Sequence, residues 1–185
     1  DIIYRLYSGA KALYRFQHDR IQNAAYQLIP PGERDALHLR IGRHLLDRPG
    51  VAGQPAEQLF EVLQHLNRTE RLIEDDALRL RLARYNLEAG EVAKRANAYQ
   101  AALNFVGFGI RFLPDGGWQP QYDLTRRLHL IGVQSAYLTG DYDSMHVLAD
   151  KAANRVVDPV EKVAFHEIIT YAYASRRQWP EAVDE

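Results

Sequence analysis

The chain has 185 residues, a formal net charge of −1 and no cysteine. Near-neutrality leaves no overall attraction to nucleic acid or to an anionic membrane. The absent thiols exclude disulfides, thiolate metal sites and cysteine nucleophiles, and fit a reducing, cytoplasmic compartment. No apolar run approaches the roughly 20 residues that span a bilayer. A chain that opens at Asp1 without an initiator methionine reads as a piece of something longer.

The first stretch, DIIYRLYSGAKALYRF, reads as a β-hairpin with strands at Ile2–Tyr7 and Ala12–Phe16 around a Ser8-Gly9-Ala10-Lys11 turn. β-branched and aromatic residues flanking a glycine are the usual signal. Next, Asp19 followed by Gln22 forms an aspartate version of a capping box: the carboxylate accepts a backbone N–H and the Gln side chain reaches back. Ile21, Ala24, Ala25, Leu28 and Ile29 make the apolar stripe of a helix ended by Pro30-Pro31. Beyond the prolines the strand signals stop. Leu37, Ile41, His44 and Leu45 share one helical face, and Leu59, Val62, Leu63 and Leu66 another, with Pro55 in a first-turn position.

From Asp76 onward the pattern is helical, with breaks near PDGGWQP, TGDYD and VVDP. Three segments, 97–114, 140–159 and 177–185, align on an aromatic followed three residues later by a small or slim residue: Tyr99/Ala102, Tyr142/Met145 and Trp179/Ala182. Helices over 78–95, 124–138 and 161–175 supply their partners. Gly90 falls where paired helices pack closest, Pro114 closes the first unit, and Ala152 lies in the second. This pattern resembles tetratricopeptide repeats, although the aromatic spacing exceeds the roughly 34 residues of that repeat. Each unit exposes an apolar stripe that only a neighbour can cover, so stacking into a superhelix is expected. The third unit is truncated, and its open edge should bind a next repeat or a neighbouring molecule. Tyr85, Tyr99, Phe105, Phe108, Phe112, Tyr137, Tyr142, Phe165, Tyr173 and Trp179 are expected in interhelical packing.

His18-Asp19-Arg20 raises the question of chemistry. The kinase catalytic loop runs His-Arg-Asp with the Asp in a loop, whereas here Asp19 opens a helix. The other histidines, 38, 44, 65, 129, 146 and 166, show no i, i+4 pairing and no HExxH, so no metal site is read. On its own residues, His18 is a strand-end residue beside a capping aspartate.

A hairpin, then aromatic-x-His-Asp, then an amphipathic helix resembles the end of the winged-helix subdomain of STAND-type signalling ATPases. The longer strings YRFQHDRIQNAAYQLIPPGERDALHLRIGRHLL (14–46), LFEVLQHLNRTERLI (59–73) and LARYNLEAGEVAKRANAYQAALNF (82–105) resemble the helical-repeat region that follows the AAA/STAND-type ATPase module of large bacterial multidomain serine/threonine kinase–sensor histidine kinase proteins. That resemblance implies an all-α, tetratricopeptide-like α-α superhelix with a winged-helix remnant at its start. It divides the chain into 1–31 (hairpin plus helix), 32–75 (connecting helices) and 76–185 (repeats). It also implies that His18 is the nucleotide-sensing position of the parent and Asp19 its orienting cap. No phosphate loop or Walker-B strand is present, so ATP or ADP belongs to the parent's ATPase module. No cofactor is expected in this fragment, and no enzymatic activity.

The function implied is a regulatory, protein-interaction segment of a larger signalling protein. Carried over from the repeat pattern, the concave-surface candidates are Arg84, Glu91, Lys94, Arg127, Gln134, Tyr137, Glu167 and Tyr171. Their partners would be protein segments or neighbouring domains of the same chain. The Lys/Asn clamp that reads acidic C-termini is missing at Leu87, Glu91, Leu130, Gln134, Glu167 and Tyr171. Two alternatives stand beside this reading. One is a winged-helix DNA-binding module of a transcriptional regulator, motivated by Arg5, Lys11, Arg15 and Arg20 but lacking a recognition helix. The other is self-association through the open repeat end.

Overall fold

Proline and glycine place several of the chain's breaks. Pro31 opens one helix and Pro159 another, each in a first turn where a missing N–H costs nothing. The structure, a computed structural model, describes residues 3–8, 11–16, 18–47, 56–114 and 117–175. Strands β1 (Ile3–Ser8) and β2 (Lys11–Phe16) pair antiparallel, with Ile3 opposite Phe16 and Ser8 opposite Lys11. The rest is helical: α1 (Asp19–Gln27), α2 (Pro31–Leu46), α3 (Ala56–Leu66), a 3-10 segment (Asn67–Leu72), α4 (Asp76–Arg95), α5 (Tyr99–Phe112), α6 (Tyr122–Thr139), α7 (Tyr142–Ala153) and α8 (Pro159–Ser175). The expected second helix of a third unit, with Trp179 and Ala182, lies outside the described residues.

The start of α1 differs from the capping-box expectation. His18, in extended conformation, is the N-cap, and its carbonyl accepts from the N–H groups of Ile21 and Gln22. Asp19 is the first helical residue, so its side chain is one position too late to cap. Neither Asp19 nor Gln22 makes a side-chain hydrogen bond among the described residues. The Asp19 carboxylate acts instead through its charge in the first turn, beside the positive end of the helix dipole. True aspartate caps occur downstream. Asp75 accepts from the Leu78 N–H at 2.9 Å and Asp141 from the Ser144 N–H at 3.1 Å. Hydrogen bonding from the Ser144 hydroxyl, and then from its backbone N–H, holds the Asp141 carboxyl below its ordinary pKa. Gly140, at φ 75°, ends α6 in the left-handed conformation, so the Gly-Asp-Tyr run stops one helix and starts the next.

Two buried clusters hold the helices. The first joins Leu45 and Leu46 of α2, Leu63 and Leu66 of α3, Leu82 and Leu87 of α4, Val106 and Phe112 of α5, and Leu124 and Leu128 of α6. The second joins Val133 and Ala136 of α6, Met145 and Ala149 of α7, and Phe165 and Ile169 of α8. Helix α6 therefore serves both cores. The connecting helices α2 and α3 share their core with α4 to α6. Consecutive helices from α4 to α8 are neighbours, and α4 touches α6 as α6 touches α8.

Several close contacts fix these crossings. A Cβ on Gly90 would meet Val106 Cγ1 at 2.7 Å, which is why glycine stands where α4 and α5 approach. Asn67 and Asn86, both buried, pair amide to amide at 2.8 and 2.9 Å, and Asn86 also donates to the Leu82 carbonyl. Phe60 stacks on Phe105 with centroids 5.3 Å apart, joining α3 to α5. Phe112, Phe165 and Tyr85 are buried, while Phe105, Phe108, Tyr137, Tyr142 and Tyr173 are partly buried against the two clusters.

Candidate functional site

Helices α4 and α6 lie side by side, and the residues that their core stripes leave over meet along the seam. On α4 the buried positions Leu82, Ala83, Tyr85, Asn86, Ala89, Gly90 and Ala93 leave Arg84, Glu88, Glu91, Lys94 and Arg95 off the core face. On α6 the same logic leaves Asp123, Arg127 and Gln134. Two adjoining hollows follow. One, of about 350 Å³, is lined by Glu91, Lys94, Arg95, Arg127 and Gln134 over a floor of Leu130 and Ile131. The other, of about 280 Å³, is lined by Arg84, Glu88, Glu91, Asp123 and Arg127 over Leu87 and Leu124. Glu91 and Arg127 line both.

Across the seam Arg127 pairs with Glu91, and Lys94 donates to the Gln134 carbonyl oxygen. Arg127 also faces Asp123 at 3.7 Å, and Asp123 accepts from Arg126 at 2.8 Å. Arg84 and Arg95 form no ion pair among the described residues. The groove is thus an apolar floor with alternating charges on its rim, some already paired and some available.

Of the eight concave candidates, the structure brings Arg84, Glu91, Lys94, Arg127 and Gln134 into this groove. Tyr137 is instead half-buried against the second core cluster, because that turn of α6 packs between α7 and α8. Glu167 and Tyr171 are exposed on α8, where the Tyr171 hydroxyl donates to the Glu167 carboxylate at 3.3 Å. His18 is exposed at the start of α1, and its side chain makes no hydrogen bond among the described residues. Sequence reasoning missed Glu88 and Asp123 on the rim. Their spacings, i+4 from Arg84 and three and four before Arg126 and Arg127, carried the signal.

It also missed a polar cluster joining α1, α2 and α3. The His38 and His65 Nδ1 atoms are 2.8 Å apart, and His38 Nε2 is 3.0 Å from the Tyr26 hydroxyl. Burial is the main cause lowering both histidine pKa values. The mutual repulsion of His65 and the nearby Arg68 add to it for His38, against Asp35; Glu61 opposes it for His65. The guanidinium groups of Arg34 and Arg68 lie 5.0 and 5.9 Å from the Tyr26 ring centroid. With the two histidines 27 positions apart, no local pattern could have announced the pair. Among the described residues no group of three or more His, Cys, Asp or Glu could hold a metal ion. None of the described helices is long and apolar enough to cross a membrane.

No family model matches the chain, and no solved structure matches it. It is 28% identical over 165 residues to "Hybrid signal transduction histidine kinase G" of Dictyostelium discoideum. The alignment covers 77% of this chain and about 5% of that relative's length. The relative is not bacterial, where the sequence pattern had pointed to a bacterial protein. Over most of its length, then, this helical chain is distantly similar to a short segment of a signal-transduction histidine kinase.

Proposed function

We propose that the chain is a non-catalytic, protein-interaction segment of a larger signalling protein, built as a tetratricopeptide-like stack in which α4/α5 and α6/α7 are the first two units and α8 opens a third. The observation that carries this reading is the groove between α4 and α6. Five residues picked from the repeat pattern line one surface there, and the helices that form it are the leading members of successive pairs. The kinship with a signal-transduction histidine kinase supports a signalling setting. An apolar floor with a charged rim suits an extended protein segment or a neighbouring domain of the same chain, held by ion pairs at the sides and apolar contact below.

The groove predicts a specific loss. In the full-length parent, Lys94→Glu combined with Arg127→Glu should abolish cross-links between the α4–α6 face and its neighbour and change the parent's signalling output. Both positions lie off the core, so the segment's thermal midpoint should stay close to that of the native chain. An unchanged cross-link map would rule the groove out as the docking face.

The resemblance to STAND-type ATPases adds a role for the N-terminal part. On this reading residues 1–31 end a winged-helix subdomain, and His18 reaches a nucleotide bound by the parent's ATPase module. Its support is the position of His18, exposed at the junction between β2 and α1 with a side chain that makes no hydrogen bond among the described residues. His18→Ala in the parent should weaken ADP retention and raise basal output; unchanged ADP affinity would end the sensor assignment.

A further inference from the structure

A second cavity, of about 640 Å³, opens between the α5–α6 connection, α6 and α7, and shares no lining residue with the groove between α4 and α6. Its size is that of a small-molecule site. One wall is aromatic. The Trp118 ring centroid lies 4.9 Å from that of His129, with the planes tilted by 43°. The connection that carries Trp118 is fastened by the buried Thr125 hydroxyl, which donates to the Gly117 carbonyl at 3.1 Å. The lining also carries two cations. Lys151, in the last turn of α7, and Arg155, two residues beyond its end, both line the cavity, with Asp150 the one carboxylate among the lining residues.

His129 gives the cavity a defined polar group. It is only 3% exposed, and its Nδ1 lies 2.8 Å from the Thr125 carbonyl oxygen. A carbonyl can only accept, so Nδ1 carries the hydrogen and Nε2 of the neutral ring carries a lone pair. No hydrogen bond among the described residues uses that lone pair. Burial, and then the charge of Lys151, lower the imidazole pKa, against the Thr125 carbonyl, which raises it. A neutral imidazole with a fixed tautomer is an acceptor waiting for a donor.

We propose that this cavity binds a small planar heteroaromatic anion, with its ring against Trp118, a ring N–H or amino group donating to His129 Nε2, and its phosphate or carboxylate between Lys151 and Arg155. The anion could come from a purine nucleotide or from an aromatic carboxylate, and AMP and indole-3-acetate separate the two sources. The chain has two tryptophans, so the indole N–H resonance of Trp118 can be followed with that of Trp179 as an internal reference. One of the two probes should shift the Trp118 signal saturably. Lys151→Glu combined with Arg155→Glu, both exposed positions, should weaken that binding at least about tenfold without lowering the thermal midpoint. If AMP is the probe that binds, N6,N6-dimethyl-AMP, which lacks the amino donor, should bind more weakly. No saturable Trp118 shift with either probe at millimolar concentration would overturn the proposal. An undiminished shift in the charge-reversed variant would do the same, and equal binding of the dimethylated nucleotide would remove His129 from it.

Discussion

Tyr26, His38 and His65 show how a few side chains tie three helices together. Only one hydrogen can sit between the two Nδ1 atoms, so the pair needs at least one of them unprotonated; two imidazolium rings would oppose N–H to N–H at 2.8 Å. The lowered pKa values have a definite consequence for stability. Below the ordinary histidine value of about 6.5 the unfolded chain takes up protons more readily than the folded one. The contribution of the pair is therefore complete above that pH and is lost as the pH falls below it. The thermal midpoint should drop between about pH 7.5 and about pH 5.5. In the His38→Gln/His65→Gln double variant the drop should shrink to what His129 and the carboxylates leave. An equal drop in both proteins would show that the pair does not titrate with folding. At the same scale, Asp19 marks a limit of sequence reading. An aspartate before an apolar stripe announces a helix start correctly, yet a shift of one residue turns a cap into a first-turn charge. Backbone conformation at His18 decides between them, and the sequence pattern does not resolve it.

Helix crossings turn on glycine. Gly109 faces Leu128, Asn86 and the Ala83 carbonyl; an added Cβ would meet Leu128 Cδ2 at 2.6 Å. Gly107, two residues earlier on α5, has only the end of the Arg111 side chain near, at 3.7 Å. Alanine gains about 1 kcal/mol of helix propensity over glycine at either place. Gly107→Ala should keep most of that gain and raise stability, whereas Gly109→Ala should lose about 1–3 kcal/mol to overpacking and come out destabilised. Chemical denaturation of the two variants reads the difference, and equal shifts would show that α5 can move away from α4 and α6. Charge reinforces another crossing. Glu161, in the first turn of α8, accepts from the Tyr122 hydroxyl at 2.8 Å and faces Arg126 at 3.1 Å, which fastens the start of α8 to the start of α6. Helical periodicity identified most of these elements from the order of residues alone, because an apolar stripe every three to four residues is a local property. The partners of each stripe were not legible, since Glu161 and Arg126 are far apart in the sequence.

At the scale of the whole molecule, one face of α8 is uncovered among the described residues. Val160 and Val163 on α8 are 77% and 61% exposed, and Tyr171 is 57% exposed on the same side of the helix. Apolar groups lined up along a helix in this way seek a partner. The isolated chain should associate with rising concentration, and Val160→Glu/Val163→Glu should abolish that association in sedimentation velocity runs. A chain that stays monomeric at every concentration would show that this face needs no cover.

The amino-acid sequence alone determined that the described segments from α1 onward are helical, where helices break at Pro30-Pro31 and Gly140-Asp141, and that Leu59, Val62, Leu63 and Leu66 form the apolar stripe of α3. These are consequences of proline geometry, the left-handed preference of glycine and the 3.6-residue turn, all of which act within a few residues, whereas Ala24 and Leu28 of the stripe read for α1 and His44 of that read for α2 stand exposed. The tertiary structure decided what those stripes leave facing one another. It placed Arg84, Glu91, Lys94, Arg127 and Gln134 on one groove and set Tyr137 half-buried against the second core cluster. It also brought His38 against His65 and set Trp118 beside His129. Burial of apolar surface chooses how helices stack, and the polar groups that meet do so as a result of that choice.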